Sequence, residues 1–179
     1  MDLLKTVWPE FPEIDGVQFG LAQMAEADAI GRLSRELVES GLSSWSWNPY
    51  RIASYIQHSD ALVMVGRDNG RLVAAAIMEF ADSESHLNLL VVKPQYQRLG
   101  IGKCMVRFIE NSAYLFGHAV VRLEVRLKNE AARAFYRSLG YQEVKVIENY
   151  YSGKEAAVFL AHQLKPHPTT QAMKKQKPD

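Results

Sequence analysis

The feature that most constrains this chain is a pair of glycines at a strand-to-helix junction. Gly100 and Gly102 follow an apolar run over residues 86–92 and open a segment, residues 100–116, whose apolar residues recur at helical spacing. Glycines let the backbone turn tightly and approach a ligand closely. The first amides of a helix lack partners within it, and the peptide dipoles add about half a positive charge there. We therefore predict a phosphate or pyrophosphate site at residues 100–103.

Two of three phosphate-binding patterns do not fit this junction. The P-loop needs a serine or threonine after Gly102-Lys103, where the chain has a cysteine, and a glycine where it has Gln97. The dinucleotide fingerprint needs a glycine in place of Met105. The third pattern, [QR]-x-x-G-x-[GA] after a strand, matches Gln97, Gly100 and Gly102 without a mismatch.

Helical and strand patterns alternate along the rest of the chain. Apolar spacing predicts a helix that starts near Ile30 and stops at Gly41, and Asn48-Pro49 predicts the start of a second. Asn129 is predicted to cap a later helix that ends at Leu139-Gly140. Strands are predicted over residues 61–67, 71–80, 86–92, 120–126, 141–150 and 155–163, the first two joined by a hairpin turn at residues 68–70. This order predicts an α+β sandwich with a mixed central sheet.

Size and composition predict one soluble domain. The chain has 179 residues, and 21 Lys and Arg against 20 Asp and Glu give a net charge of +1, so no strongly basic nucleic-acid surface is expected. The single cysteine, Cys104, excludes an internal disulfide. The longest apolar run, residues 72–78, is far shorter than the roughly 20 residues of a spanning helix, and no secretory signal opens the chain. We predict a cytoplasmic protein that binds no membrane.

The end of the chain differs in composition from the rest. Residues 165–179 hold three prolines and four lysines but no aromatic or branched aliphatic residue. Such a segment buries too little surface to offset the entropy of ordering it. We predict one domain over residues 1–164 and a flexible tail over residues 165–179.

The glycine junction and its surroundings resemble the acetyl-CoA motif of the GNAT acetyltransferases. Residues 89–98 resemble the strand and loop before that family's pyrophosphate site, and residues 123–126 and 129–141 resemble its next strand and helix. Within the superfamily the chain is most similar to the ribosomal-protein-alanine N-acetyltransferases. The resemblance is strong over residues 86–163. It implies a GNAT-type sheet, mixed but mostly antiparallel and flanked by helices, with acetyl-CoA as co-substrate.

The resemblance also implies a role for each matching residue. Strand backbone groups of Leu90, Val91 and Val92 would hold the pantetheine arm, and Asn129 would bond this arm near the reacting end. The loop that would hold the pyrophosphate consists of Arg98, Leu99, Gly100, Ile101, Gly102 and Lys103. Glu124 takes the position of the general base and Tyr136 that of the general acid.

These roles suit the chemistry of amide formation. An α-amine has a pKa near 8, so at neutral pH a nearby carboxylate must remove its proton. A phenol can protonate the departing thiolate, and a strand amide near Val92 can stabilise the oxyanion. Structural roles remain open: Glu124 could pair with Arg122 or Arg126 on one strand face, and Tyr136 could be a core aromatic. Cys104 need not act, and no metal-ligand spacing is present.

The acceptor is expected opposite the cofactor, where the loops near residues 41–47 and 149–153 meet. Trp45, Trp47, Tyr150 and Tyr151 could wall a groove there, or simply pack. The resemblance implies a protein N-terminus as acceptor, possibly that of a ribosomal protein. Two alternatives stay open: an acetyltransferase of small-molecule amines, and a non-catalytic acyl-CoA-binding sensor.

Overall fold

A computed structural model describes residue 11 and residues 13–81 and 83–165. Within them lie eight strands, β1 (Glu13–Ile14), β2 (Val17–Leu21), β3 (Ala61–Asp68), β4 (Arg71–Phe80), β5 (Ser85–Val92), β6 (Val120–Arg126), β7 (Gln142–Tyr151) and β8 (Glu155–Gln163). The α-helices of the same residues are α1 (Ala27–Leu37), α2 (Pro49–Gln57), α3 (Ile101–Leu115) and α4 (Glu130–Ser138). All but the first residue of the predicted tail lie outside the described residues.

The strands form one sheet in the order β1-β2-β3-β4-β5-β6-β8-β7. Neighbouring strands are antiparallel except for β5 and β6, so the predicted α+β fold with a mixed, mostly antiparallel sheet is confirmed. The short strands β1 and β2 were not predicted. They extend the sheet beyond β3, with Val17 and Phe19 buried.

The predicted helix starts are confirmed by their caps. The Asn48 side chain accepts a hydrogen bond from the Arg51 amide, and the Asn129 side chain accepts one from the Ala132 amide, both at 3.0 Å. The first helix ends earlier than predicted, at Leu37 rather than Gly41. The amides of residues 38 and 39 both donate to the Ser34 carbonyl, which ends the regular helical pattern there.

The sheet divides the core into two layers. On one face α3 buries Ile101, Met105, Phe108 and Ile109, the face that the sequence predicts. On the other face α1 and α2 bury Ile30, Ile52 and their neighbours. The sheet is thereby covered on both sides, which leaves its strand ends and splits as the places for a ligand.

The sheet splits between β5 and β6. These two strands pair only through Ser85 with Val121 and through His86 with Arg122. Beyond that point β5 stays paired with β4 and β6 with β8, so the two strands separate toward Val92 and Arg126. The strand β5 also carries a bulge, because Met78 pairs with Leu87 and Ile77 with Leu89, leaving one residue unpaired. A cleft opens where the strands part.

Candidate active site

The cleft at the split has a volume of about 900 Å³. It is lined by β5 and β6, by the start of α3, by α4, by the first turn of α2, by the ends of α1 and β7, and by the loops that follow these two elements. Of the residues that the sequence singles out, the lining contains Leu90, Val91, Val92, Arg98, Gly102, Glu124, Asn129 and Tyr136. The structure therefore brings the predicted cofactor and catalytic positions to one cavity. Leu99, Gly100, Ile101 and Lys103 are not in the lining, and the Ile101 side chain is buried in the core.

The loop at the start of α3 presents backbone amides. Arg98 and Gly100 both adopt left-handed conformations, with φ of 63° and 87°. The helical hydrogen bonds begin with the Cys104 amide, which donates to the Gly100 carbonyl at 2.9 Å, and Gly100 has no side chain to cap the turn. The amides of residues 101–103 therefore have no partner within the helix, as an anion site requires.

Gln97 fixes this loop to the strand before it. Its Nε2 donates to the Val92 carbonyl at 3.0 Å, so the side chain ties the turn to the free end of β5. This bond gives a physical reason for the glutamine that opens the motif.

Gly102 leaves space on the cleft side of α3. A Cβ at this position would lie 3.4 Å from the Phe135 ring and 3.7 Å from the Val92 side chain. One methyl group would fit in ordinary contact, whereas a larger side chain would enter the space between the two. The glycine thus keeps open the passage between the helix start and the strands.

Glu124 projects into the cleft from β6 and bonds His86 of β5. The His86 Nε2 donates to Glu124 Oε2 at 2.6 Å, and the Glu124 side chain is 13% exposed. The two arginines that the sequence offers as partners pair elsewhere, Arg122 with Glu84 and Arg126 with Glu155. His86 was missed because only the parallel pairing of β5 with β6, which the sequence does not show, brings it to Glu124.

Tyr136 combines a packed ring with a place on the cleft wall. Its side chain is buried, with edge-to-face contacts to Phe135 and Tyr141 at centroid distances of 5.1 and 5.4 Å. Burial raises the pKa of the Tyr136 phenol. The hydroxyl therefore keeps its proton at neutral pH, the state that a proton donor needs.

The two loops predicted to form the acceptor side meet. Ser44 Oγ lies 3.0 Å from Ser152 Oγ, which joins the loop after α1 to the turn after β7. Trp47, Tyr150 and Tyr151 line the cleft, but Trp45 does not, contrary to the expected aromatic wall.

A buried carboxylate that the sequence analysis missed holds the loop after α1. Glu39 is 3% exposed, and its oxygens accept hydrogen bonds from the Ser46 amide at 2.6 Å, the Trp47 amide at 3.2 Å and Ser34 Oγ at 3.1 Å. Such bonds satisfy the polar atoms of a buried carboxyl group. They fix the loop, and with it Trp47, against the sheet.

Over the described residues the structure shows neither a cluster of metal ligands nor a membrane-spanning helix. No group of three or more His, Cys, Asp or Glu residues there gathers as metal ligands would. None of the helices found there has the length and apolar character needed to cross a membrane.

The cleft and the split sheet are those of an acetyltransferase fold. The family model of the GNAT acetyltransferases matches residues 30–141, and the chain belongs to this family. The resemblance inferred from the glycine junction is thereby confirmed.

The chain is also similar to individual acetyltransferases in sequence and in structure. The chain is 38% identical to the ribosomal protein bS18-alanine N-acetyltransferase of Escherichia coli over 96 residues, which span 52% of this chain and 65% of the relative. The crystal structure of the E. coli ribosomal-protein-S18-alanine N-acetyltransferase superposes with a TM-score of 0.70 and 28% identity, covering 83% of this chain and 94% of the other. Arabidopsis thaliana Naa50, solved in complex with the bisubstrate analogue CoA-Ac-MVNAL, shares the fold with a TM-score of 0.70 at 17% identity, covering 83% and 99%.

Proposed function

We propose that this protein transfers the acetyl group of acetyl-CoA to the N-terminal α-amine of a protein, with a ribosomal protein as the first candidate acceptor. The observation that carries the proposal is one cleft that has the start of α3, through Gly102, at one end and the Glu124–His86 pair at the strand split. The named relatives support the choice of acceptor. The E. coli relative is named for an alanine of ribosomal protein bS18, and Naa50 was solved with a CoA analogue linked to a peptide. The cytoplasmic location predicted from the sequence is part of the same proposal.

The described residues fit acetyl-CoA along this cleft. The amides of residues 101–103, with Arg98 and Lys103 beside them, suit the pyrophosphate. The segment Leu90–Val92 pairs with β4 on one side only, and although Gln97 uses the Val92 carbonyl, other backbone groups of its open edge can bond the pantetheine amides. The open side of Gly102 gives the arm its passage. Asn129 lines the same cavity, where its side chain would bond the pantetheine arm near the reacting end.

Acetyl-CoA supplies an activated acyl group, and the chain supplies proton transfer and positioning. Glu124 takes the proton of the acceptor ammonium, directly or through one water molecule, and the nitrogen attacks the thioester carbonyl. His86 holds the Glu124 carboxylate in place through its 2.6 Å hydrogen bond. Tyr136 gives its proton to the departing thiolate, which prevents the reverse attack, and the second proton lost by the attacking nitrogen restores the phenol by way of solvent. Holding both reactants in one cleft supplies much of the remaining acceleration.

The test is a mass-spectrometric comparison of ribosomal protein N-termini. Purified ribosomal proteins with free N-termini are incubated with acetyl-CoA and the enzyme, and a Glu124→Gln variant serves as control. We expect the wild type to acetylate the first residue of at least one protein and the variant to acetylate none above background. Acetylation of small amines alone would instead support a small-molecule acetyltransferase. Tight CoA binding without acetyl transfer to any acceptor would support a sensor.

A further inference from the structure

Arg51 stands at the acceptor end of the cleft, in the first turn of α2. Its side chain is exposed and lines the cavity. The guanidinium carbon lies 4.1 Å from the centroid of the Trp47 ring and 5.7 Å from that of the Tyr55 ring. Trp47 is itself 8% exposed and held by Glu39. The cation is therefore positioned by a rigid surface before any acceptor arrives.

Stacking leaves the hydrogen-bonding edge of the guanidinium available. The Trp47 ring covers one face of the planar group, while its N–H donors point outward in the plane. In such an arrangement the contact with the Trp47 ring orients the group without using its donors. The Tyr55 hydroxyl engages one side of the guanidinium, and the five-donor fork keeps further N–H groups for a carboxylate. A carboxylate can then approach the edge and accept two parallel hydrogen bonds.

Arg51 has no carboxylate partner among the described residues, whereas other charges at this end of the cleft are matched. Arg126 pairs with Glu155 at 2.6 Å. Glu79 accepts from the Tyr55 hydroxyl and the Asn88 side chain, and Glu39 and Glu124 have the partners given above. The first turn of α2 also contains no acidic residue. A cation at a helix start opposes the helix dipole, so this position gains from an anion that the chain does not provide.

The cation lies near the reacting end. Burial, then the charge and hydrogen bond of Glu124, raise the pKa of Tyr150, and the charge of Arg51 opposes that rise. Tyr150 is therefore within electrostatic reach of both groups, with Glu124 and Arg51 as its neighbours. An extended peptide advances by about 3.3–3.6 Å per residue. An acceptor whose first nitrogen is at Glu124 thus brings the side chains of its first few residues past Arg51.

We propose that Arg51 selects acceptors that carry an acidic side chain within their first three residues. This specificity rests on the proposed function, since it needs a peptide N-terminus at Glu124. The carboxylate of the acceptor forms a bidentate ion pair with the guanidinium stacked on Trp47. Because the pair lies at the mouth of the cleft, added salt weakens it.

The test compares kcat/KM for matched peptides that begin Ala-Glu-Glu and Ala-Gln-Gln and are identical thereafter. We expect the wild type to favour the acidic peptide about fivefold, in the range of an exposed but oriented ion pair. In Arg51→Gln the ratio falls close to one, and in Arg51→Glu a peptide that begins Ala-Lys-Lys becomes the better substrate. Arg32→Gln, on an arginine outside the cleft lining, is the control and keeps the wild-type ratio. Thermal melting and CoA titration confirm that each variant is folded.

The outcomes separate the two claims. Equal kcat/KM for the acidic and amide peptides in the wild type, or a preference that survives in Arg51→Gln, overturns the role of Arg51 while peptide acetylation itself stands. A complete lack of acetylation on every peptide, with acetyl-CoA bound, overturns the proposed function and this specificity with it. A preference that disappears at high salt in the wild type and is absent in Arg51→Gln supports the ion pair.

Discussion

His86 Nε2 lies 2.6 Å from Glu124 Oε2, across the point where the two strands separate. His86 is the last residue of β5 that pairs with β6, and Glu124 is two residues beyond its partner Arg122. The hydrogen bond therefore closes the narrow end of the cleft and fixes the carboxylate where the proposed reaction would bring a thioester and an amine together.

Replacement of Glu124 by glutamine should slow acetyl transfer and spare cofactor binding. Removing a general base costs typically about 10²–10⁴ in rate, so we expect kcat to fall within that range. Steady-state kinetics with a peptide acceptor and calorimetric titration with CoA measure the two effects. His86→Phe, which keeps a ring at this position but removes the Nε2 donor of the positioning bond, should lower kcat by about tenfold. Wild-type kcat in Glu124→Gln would exclude this carboxylate as the base.

The pH dependence of acetyl transfer should show the protonation state of the Tyr136 phenol. Burial raises the pKa of this phenol, and a raised pKa keeps the protonated form present to higher pH. The rate should therefore rise as the acceptor amine, with a pKa of about 8, loses its proton, and should not fall again below about pH 10. A pH series of kcat/KM, with the stability of the enzyme checked at each pH, measures this. A descending limb near neutral pH would show that another group acts as the acid.

Replacement of Tyr136 by phenylalanine tests the role of its hydroxyl group directly. It keeps the ring contacts with Phe135 and Tyr141 but removes the proton donor. We expect kcat to fall by about 10²-fold or more, with CoA affinity nearly unchanged. Unchanged turnover in this variant would assign Tyr136 to the core alone.

Bulk at Gly102 should block the cofactor. A leucine there would fill the space between Phe135 and Val92, whereas an alanine Cβ would make ordinary contacts at 3.4 and 3.7 Å. We expect Gly102→Leu to lose at least about 100-fold in acetyl-CoA affinity, and Gly102→Ala to lose less than about tenfold, a difference of roughly 1.4 kcal/mol or more. Calorimetry measures both, and circular dichroism confirms folding. Equal affinities in the two variants would place the cofactor elsewhere.

Glu79 should affect turnover through the bulge in β5. Its Oε2 accepts hydrogen bonds from the Tyr55 hydroxyl at 2.9 Å and from Asn88 Nδ2 at 3.1 Å, so it links α2 to the unpaired residue of the bulge. Glu79→Ala should lower kcat by about tenfold, and it should raise the KM for acetyl-CoA by less than that. Glu79→Gln retains an acceptor oxygen and should restore most of the rate. If both variants lose the same activity, the charge rather than the hydrogen bonds is what matters.

Much of this architecture follows from local sequence signals. Asn48 and Asn129 cap helices because their side chains reach backbone amides three residues on, and this depends only on local chain geometry. The turn at Asn69 and Gly70 has positive φ at both residues, as its sequence predicts. The unpaired amides at the start of α3 could be predicted in the same way, because the pair Gly100 and Gly102 is also a local signal.

The remaining features depend on contacts between distant segments. The partnership of His86 with Glu124 needs the parallel pairing of β5 and β6, and that of Glu39 with the Trp47 amide needs the folded loop after α1. Neither leaves a periodic signal along the chain. The sequence offers Trp45 and Trp47 alike for the cleft wall, because aromatic character alone does not show which of two nearby tryptophans turns inward; only Trp47 lines the cleft.

The most direct measurement is a crystal structure of the protein with coenzyme A. The expected result is the diphosphate on the backbone amides of residues 101–103, the pantetheine along Leu90–Val92, and the thiol at the strand split near Tyr136 and Glu124. A diphosphate bound elsewhere, or a cleft that stays closed by side chains while coenzyme A occupies another surface, would contradict it.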